Sequence, residues 1–334
     1  MTDIQYNFES PKLKLINMDE VGVETVKWLL YPFIPYGKVT IVQGDPGEGK
    51  TTLMLQIIAR LTRGCGVFDE DDNASIKLEN NVPQNVIYQT AEDGLGDTIK
   101  PRLLAADADC KYVHVIDETD MPLSMLDERL EQAIVKTKAR LVVLDPIQGY
   151  IGANVDMHKA NEIRPVMKRL SDVAQRHKCA IVLIGHMNKN NSGKSSYRGL
   201  GSIDISAAAR SVLLVGRLKN NPQLRVICHV KSSLAPEGKS LCFELHPETG
   251  FSWMGECDLT AEDVLNGSSS TDSKFTTAID FLKEILSQGP VAKSLVDEQA
   301  EQRNIKSRTL WAAKKKLNVN SVKSCNQWFW SLPE

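Results

Sequence analysis

The sequence lacks the features that would place it outside the ordinary globular proteins. It has no N-terminal signal pattern and no long uncharged apolar run, so we expect a cytoplasmic protein without membrane contact. Its seven cysteines are scattered and include no Cys-x-x-Cys pair. This spacing argues against a zinc site and predicts reduced, mostly buried thiols.

Charge is nearly balanced over the whole chain but unevenly distributed along it. The net charge is −2, and 42% hydrophobic with 25% charged residues is typical of a globular protein. From Lys274 to the end there are ten Lys or Arg and six Asp or Glu, a net of +4, which leaves −6 for the remainder. A basic tail on an acidic body is consistent with a DNA-facing module, and equally with a solvated charged surface.

The strongest signal is a nine-residue stretch that fits G-x-x-x-x-G-K-[ST], the phosphate-binding P-loop. Its residues are Gly44, Asp45, Pro46, Gly47, Glu48, Gly49, Lys50, Thr51 and Thr52. The β-branched segment 38–42 before it predicts a buried strand, and apolar residues recur at helical spacing after it. This strand–loop–helix context indicates nucleotide binding.

The P-loop assigns a chemical task to each of its parts. A glycine-rich turn between strand and helix aims backbone N–H groups at a phosphate, and the helix N-terminus adds partial positive charge. Lys50 is expected to reach the β- and γ-phosphates, and Thr51 is expected to place its hydroxyl on the metal. The predicted cofactors are therefore ATP and Mg²⁺.

Strands and helices alternate along most of the chain. The pattern predicts strands at 85–90, 112–116, 140–145 and 180–186, and helices near 97–106, 123–137, 159–177 and 203–209. Such alternation favours a parallel sheet with helices on both faces. Three further apolar segments, at 211–215, 224–230 and 241–245, are expected to add antiparallel strands. The fold class is thus α/β.

The end of the chain has the outline of a second, smaller domain. Residues 256–273 include Ser- and Gly-rich linker composition, and three short helices with a terminal strand follow at 274–334. This order predicts a winged helix-turn-helix-like domain. Its third helix is expected to expose Arg308, Lys314, Lys315 and Lys316, with Leu310 and Trp311 packing inward. The first 255 residues, with a lead-in at 1–36, form the nucleotide-binding domain.

Three polar residues beyond the P-loop are expected at the same edge of the sheet, because each follows or ends a strand. Asp145 closes an apolar strand and is the candidate metal ligand. Glu92 follows the strand expected beside the P-loop strand, and its carboxylate could polarise the attacking water. Asp93 is the competing candidate. His186 ends another strand and could hydrogen-bond the γ-phosphate.

Taken together, these residues resemble the RecA-like hexameric ATPases, and within them the RepA-type replicative helicases of plasmids and phages. The resemblance covers about residues 28–250. Its motifs stand at 44–52, 90–93, 141–145, 184–189, 197–199 with Ser202, and 208–210.

The resemblance implies a homo-oligomeric, hexameric ring with ATP between neighbouring subunits. It implies Glu92 as catalytic base, His186 as γ-phosphate sensor, and Arg210, with Arg198 second, as the arginine that reaches the neighbour's ATP. The loop 188–196, with Lys189 and Lys194, would face the ring centre and contact single-stranded DNA. Related helicases carry Lys-x-Arg on a late strand, whereas Lys231 here has no matching arginine. No primase segment or N-terminal helicase collar is visible.

The sequence leaves several functions open. The chain is either a DNA helicase or translocase on single-stranded DNA, or an ATP-switched recombination or initiation factor that does not unwind. A third hypothesis is a small-molecule P-loop kinase, which gives Glu92 and His186 no joint role. The C-terminal domain could bind duplex DNA, bind a replication-initiator partner, or only stabilise the oligomer.

Overall fold

A computed structural model describes residues 13–66, 82–153, 155–187, 203–218, 221–266, 270–303, 305, 307–324 and 327–333. The strands of its first part are β1 Trp28–Leu30, β2 Ile34–Pro35, β3 Val39–Gly44, β4 Val86–Thr90, β5 Val113–His114, β6 Leu141–Asp145, β7 Ala180–His186, β8 Ser211–Leu218, β9 Asn221–Ser232, β10 Ser240–His246 and β11 Gly250–Cys257. The helices are α1 Lys50–Thr62, α2 Lys100–Ala105, α3 Glu128–Thr137, α4 Ala160–His177, α5 Ile203–Ala208 and α6 Ala261–Asn266.

Nine of these strands form one sheet in the order β11-β10-β9-β8-β3-β7-β6-β4-β5. The six strands from β8 to β5 are parallel, and β9, β10 and β11 extend the sheet in antiparallel fashion. The predicted α/β class is confirmed. Two predicted details were wrong. The strand at 211–215 was expected to be antiparallel, but as β8 it runs parallel to β3. The strand before Glu92 was expected beside the P-loop strand, but β7 and β6 separate β4 from β3.

The parallel strands are apolar along their whole length because helices cover both faces of the sheet. On one face α1, α2 and the β1–β2 hairpin surround Val42 and Ile184. On the other face α3, α4 and α5 pack against Ile41 and Leu183. The strands of the sheet centre are therefore fixed from both sides, and their carboxyl ends form a rigid edge.

The long helix predicted at 159–177 is confirmed as α4. Its buried side chains follow one helical face, and Pro165 lies inside the helix, in the second turn, where its ring removes one backbone hydrogen-bond donor. The helix predicted from residue 123 begins only at Glu128, because Asp127 is its N-cap and accepts a hydrogen bond from the Arg129 backbone N–H. Leu123 instead packs in the core as part of the preceding loop.

The C-terminal part has a core of its own. It comprises α7 Ser270–Ile285, β12 Val291–Ala292, α8 Lys293–Gln302, α9 Ser307–Lys316, β13 Asn320–Ser324 and β14 Gln327–Ser331, with strand order β12-β14-β13. This is a winged helix, with two strands more than the sequence indicated. Leu310 packs inward as expected, but Trp311 is exposed. Within the segment predicted as a linker, α6 packs its Val264 against β8 at Gly216.

The cysteines only partly follow the expectation of reduced, buried thiols. Cys179 and Cys228 are buried free thiols, and Cys65 and Cys110 are partly exposed. Cys242 and Cys257, however, are joined in a disulfide between β10 and β11. The sequence did not reveal this pair because the two residues meet only through strand pairing. None of the described helices is long and apolar enough to cross a membrane.

Candidate functional site

The P-loop lies between β3 and α1, and its glycines are required by its path. Gly47 and Gly49 adopt φ values of 79° and 88°, in the left-handed region that disfavours other residues. A Cβ on Gly44 would lie 2.1 Å from the carbonyl oxygen of Val215, so β8 packs too closely against the start of the loop for any side chain there. The loop is thereby held open as a backbone cradle for a phosphate.

The Lys50 side chain folds back over this cradle. Its Nζ donates hydrogen bonds to the carbonyl oxygens of Gly44 at 2.9 Å and Asp45 at 2.8 Å, and it lies 3.5 Å from Nδ1 of His186. Burial lowers the pKa of the Lys50 ammonium, and the carboxylates of Asp145 and Glu48 act in the opposite direction. The ammonium is thus the cation at the mouth of the loop.

The predicted metal ligands are in contact. Thr51 Oγ1 donates a 2.6 Å hydrogen bond to Oδ2 of Asp145, which also accepts a 2.9 Å bond from the hydroxyl of Tyr88. Burial raises the pKa of Asp145. A hydroxyl and a carboxylate are oxygen donors of the kind Mg²⁺ takes, so this pair fits the metal. Tyr88 was missed, because a tyrosine inside a buried strand looks like a packing residue.

Glu92 and His186 meet although their strands are not adjacent. His186 Nε2 lies 3.9 Å from Glu92 Oε1, and the register pairs His186 with Gly44, at the start of the P-loop. The adjacent Asp93 is held elsewhere, because its carboxylate pairs with Arg102 at 3.1 Å. The expectation that β4 lies beside β3 was wrong. Glu92 still reaches this edge of the sheet, since it follows the carboxyl end of a parallel strand.

A partly buried ion cluster that joins the P-loop to β8 and β9 was not predicted. Glu48 is 7% exposed, and its Oε1 lies 3.2 Å from Nε of Arg217 on β8. Arg225 lies opposite Arg217 in the antiparallel register of β8 and β9. Burial lowers the pKa of Arg225, and the Glu48 carboxylate opposes this shift. In the described part of the chain, Glu48 Oε2 and Arg225 Nε have no hydrogen-bond partner. The three residues meet only through tertiary structure.

Arg210 stands at the opposite edge of the sheet from the P-loop. Its backbone N–H donates to the carbonyl oxygen of Val39, at the beginning of β3. The P-loop begins at Gly44, roughly 16 Å further along, because a parallel strand rises about 3.3 Å per residue. Arg210 is therefore remote from the P-loop of its own chain. Arg198 and the loop 188–196, with Lys189 and Lys194, lie outside the described residues.

Lys231, the lysine of the incomplete Lys-x-Arg pattern, has a local role in this structure. Its Nζ donates to three carbonyl oxygens, those of Ser206, Ala207 and Ala209, at 2.8 to 3.0 Å. These carbonyls end α5, where a cation complements the helix dipole.

The strand order, the glycine cradle and the Lys50–Thr51–Asp145 arrangement define a nucleotide-binding P-loop ATPase with a RecA-like core. Comparison with known proteins agrees: the profile of the family described as AAA domain matches residues 7–192, more than half of the chain, which therefore belongs to this family.

Curated relatives are proteins named DNA repair protein RadA. The one from Halalkalibacterium halodurans is 28% identical over 159 residues, which is 47% of this chain and 29% of that protein. One from Mycobacterium tuberculosis is 26% identical over 233 residues, 67% of this chain and 41% of that protein. The chain thus spans less than half the length of either relative. Among solved structures, one described as an ATPase domain aligns with a TM-score of 0.46 and 13% identity, covering 65% of this chain and 84% of that chain.

Proposed function

We propose that this chain is an ATP-driven DNA helicase or translocase that moves on single-stranded DNA in plasmid- or phage-type replication. The observation that carries the proposal is that Lys50, at the start of α1, meets His186 at the end of β7 and Glu92 after β4. A kinase that transfers phosphate to a small molecule has no need for a carboxylate and a histidine paired at the γ-phosphate position. A motor that couples hydrolysis to movement needs both a base and a sensor.

Each residue of the site then has a task. Glu92 orients and polarises the attacking water, a role open to it because it is exposed and Asp93 is held by Arg102. Lys50 leaves its two carbonyl partners for the β- and γ-phosphates, and His186, beside it, reports the γ-phosphate to the segment after β7. Thr51 and Asp145 hold Mg²⁺, which when bound neutralises phosphate charge.

The active form is proposed to be a homo-oligomeric ring. The resemblance to the hexameric RecA-like ATPases implies six subunits in this ring. Hydrolysis requires positive charge opposite Lys50, and a neighbouring subunit can supply it. Arg210 is the candidate, because its distance from its own P-loop leaves it available to another subunit's nucleotide. The loop 188–196, with Lys189 and Lys194, would line the ring centre and contact the phosphates of single-stranded DNA.

The C-terminal winged helix is proposed as a separate functional module. Its boundaries are proposed at 274–334 after a linker at 256–273, and its own hydrophobic core supports a separate domain. Its ligand would be nucleic acid or a replication-initiator partner, since winged helices serve both kinds of contact.

A second function is favoured by the relatives named for DNA repair. In that alternative the chain uses ATP to assemble on DNA as a recombination or initiation factor and does not unwind it. All the residues above would keep their roles, because assembly and translocation use the same hydrolysis.

Strand displacement on a forked duplex separates the two functions. Wild-type protein with ATP and Mg²⁺ should release the labelled strand, whereas Glu92→Gln protein should bind the fork and release nothing. ATP hydrolysis stimulated by single-stranded DNA, without strand release on forks of either polarity, would exclude helicase activity and favour the recombination or initiation factor that does not unwind DNA. No stimulation by any DNA would reject both.

A further inference from the structure

The outer surface of the winged helix joins exposed aromatic rings to basic side chains. We define the α9–wing surface as Trp311, Lys315 and Lys316 on α9, Lys323 on β13 and Trp328 on β14. All five side chains are exposed, and the two tryptophans are 57% and 49% exposed. Tryptophans are usually buried, so two open rings in one small domain indicate a binding surface.

This surface is held in a fixed arrangement. The Trp311 ring meets the buried Trp330 edge to face, with centroids 6.3 Å apart. Lys314 Nζ lies 4.6 Å from the centroids of both rings and donates a 2.6 Å hydrogen bond to Ser321 Oγ. Lys314 was expected to be exposed, but it is half-buried and ties α9 to the wing. Trp311 is thus ordered before any ligand binds, which lowers the entropy cost of stacking on it.

The two exposed rings lie on the same side of the wing. Trp328 and Trp330 are two residues apart on β14, so their side chains leave the same face of the strand, about 7 Å apart. Lys323 pairs directly with Trp328 across β13 and β14. The wing therefore continues the aromatic and basic character of α9 along one face.

The charge of this region is of one sign. Between residues 305 and 333 the sequence has six basic residues, Lys306, Arg308, Lys314, Lys315, Lys316 and Lys323, and no acidic residue. Two of the six acids on the preceding helices are paired with basic side chains, Asp297 with Lys293 at 2.6 Å and Glu284 with Arg303 at 2.7 Å. A surface with cations and no anions complements a polyanion.

We infer that the α9–wing surface binds single-stranded nucleic acid by stacking bases on Trp311 and Trp328. In a duplex the base faces are covered by their neighbours, and a groove presents edges that arginine, lysine or amide side chains read. An exposed tryptophan in the middle of α9 has no partner in that arrangement. In a single strand the base faces are open, and aromatic platforms between lysines are the usual means of holding them.

This inference extends the proposed function to the partner of the C-terminal domain, and it can fail while the ATPase site stands. The test uses the full chain without nucleotide and measures binding of a fluorescent 20-mer of deoxythymidine and of a 20-base-pair duplex. The variants are Trp311→Ala, Trp328→Ala and the double Ala variant, with Trp→Phe at both positions as rescue. Val322→Ala is the matched control, since Val322 is 60% exposed but leaves the opposite face of β13.

Each alanine substitution should weaken single-strand binding at least about fivefold, because one base–aromatic stack is lost. The salt dependence of binding should not change, since no charge is removed, whereas Lys315→Gln with Lys316→Gln should flatten it. Phe should restore most of the affinity, and Val322→Ala should bind like the wild type. Thermal unfolding and DNA-free ATP hydrolysis, measured in parallel, show whether the variants are folded.

Two results would overturn the inference. A folded double Ala variant with wild-type affinity for the single strand would exclude stacking, and the surface would then be a protein contact. A loss of duplex affinity as large as, or larger than, the loss of single-strand affinity would show a duplex reader. In neither case would the ATPase site be affected, because Lys50→Ala and Glu92→Gln test it separately.

Discussion

His186 Nε2 lies 3.9 Å from Glu92 Oε1, and the other nitrogen of the same ring lies 3.5 Å from Lys50 Nζ. One imidazole thus stands between the P-loop lysine and the candidate base. A change at the phosphate end can move the ring and, through it, the carboxylate. This arrangement makes the role of each of the three residues separable by substitution.

We expect Glu92→Gln to keep ATP binding and to lose turnover by about 10²–10⁴-fold, because a positioned base contributes about that much. Lys50→Ala should lose nucleotide binding or its productive geometry. Fluorescent-nucleotide binding and phosphate release measure the two effects. Asp93→Asn is the matched control, and it should hydrolyse at close to the wild-type rate. Normal hydrolysis by Glu92→Gln, with a defect in Asp93→Asn, would move the base to Asp93.

Mixing two inactive proteins tests whether Arg210 acts on a neighbouring subunit. Arg210→Ala keeps an intact P-loop, and Lys50→Ala keeps Arg210, so mixed rings should contain some complete sites. An arginine supplied by a neighbour contributes about 10³–10⁵-fold to turnover, so recovered activity should be well above that of either protein alone. Mixed rings confirmed by native mass spectrometry but inactive at every ratio would exclude Arg210 from this role.

The ion pair between buried Glu48 and half-exposed Arg217 predicts stability losses that are not additive. Arg217→Gln should lower the free energy of unfolding by about 1 kcal/mol, because it leaves the Glu48 carboxylate buried with less compensation while half-exposed Arg217 is screened by water. The double variant with Glu48→Gln should lose less than the sum of the single losses. Urea titration measures the free energy of unfolding of each variant. Lys239→Gln, in an exposed pair with Glu256, is the control and should change stability by less than about 0.5 kcal/mol. Additive losses would show that the two charges do not interact.

Cysteine labelling should separate the buried from the accessible thiols. Burial raises the pKa of Cys179 to about 12 and that of Cys228 to about 11, and only the thiolate reacts with iodoacetamide. At pH 8 both should therefore stay protonated and unlabelled in the native protein, while Cys65 and Cys110 are modified. Cys242 and Cys257 should label only after reduction. Peptide mass spectrometry with and without denaturant measures each site, and labelling of Cys179 as fast as Cys65 would contradict its burial.

Removal of residues 274–334 tests the independence of the winged helix. We expect a chain that ends at Ser273 to keep its oligomeric state and its basal ATP hydrolysis, because the described P-loop site draws no residue from the C-terminal part. Single-strand affinity should fall with the loss of the α9–wing surface. Sedimentation measures the oligomeric state, and hydrolysis rates measure the ATPase activity. Dissociation of the oligomer with unchanged DNA affinity would show that the domain serves assembly alone.

The sequence by itself determined the elements whose signals are local. The P-loop needs only its own glycines and Lys50, and α4 is visible because its apolar residues recur with the helical period. The strand that ends at Asp145 is apolar throughout, since both of its faces are covered. The winged helix could be predicted from the lengths and order of its helices.

The tertiary structure decided everything that depends on which strands are neighbours. Strand pairing joins residues far apart in the chain, and a run of apolar residues does not encode its partner. For this reason the separation of β4 from β3, the parallel direction of β8 and the Cys242–Cys257 pair could not be predicted. The Glu48–Arg217 ion pair and the contacts of Lys314 with two tryptophans could not be predicted either. These interactions form only when the strands and helices that carry the residues have packed together.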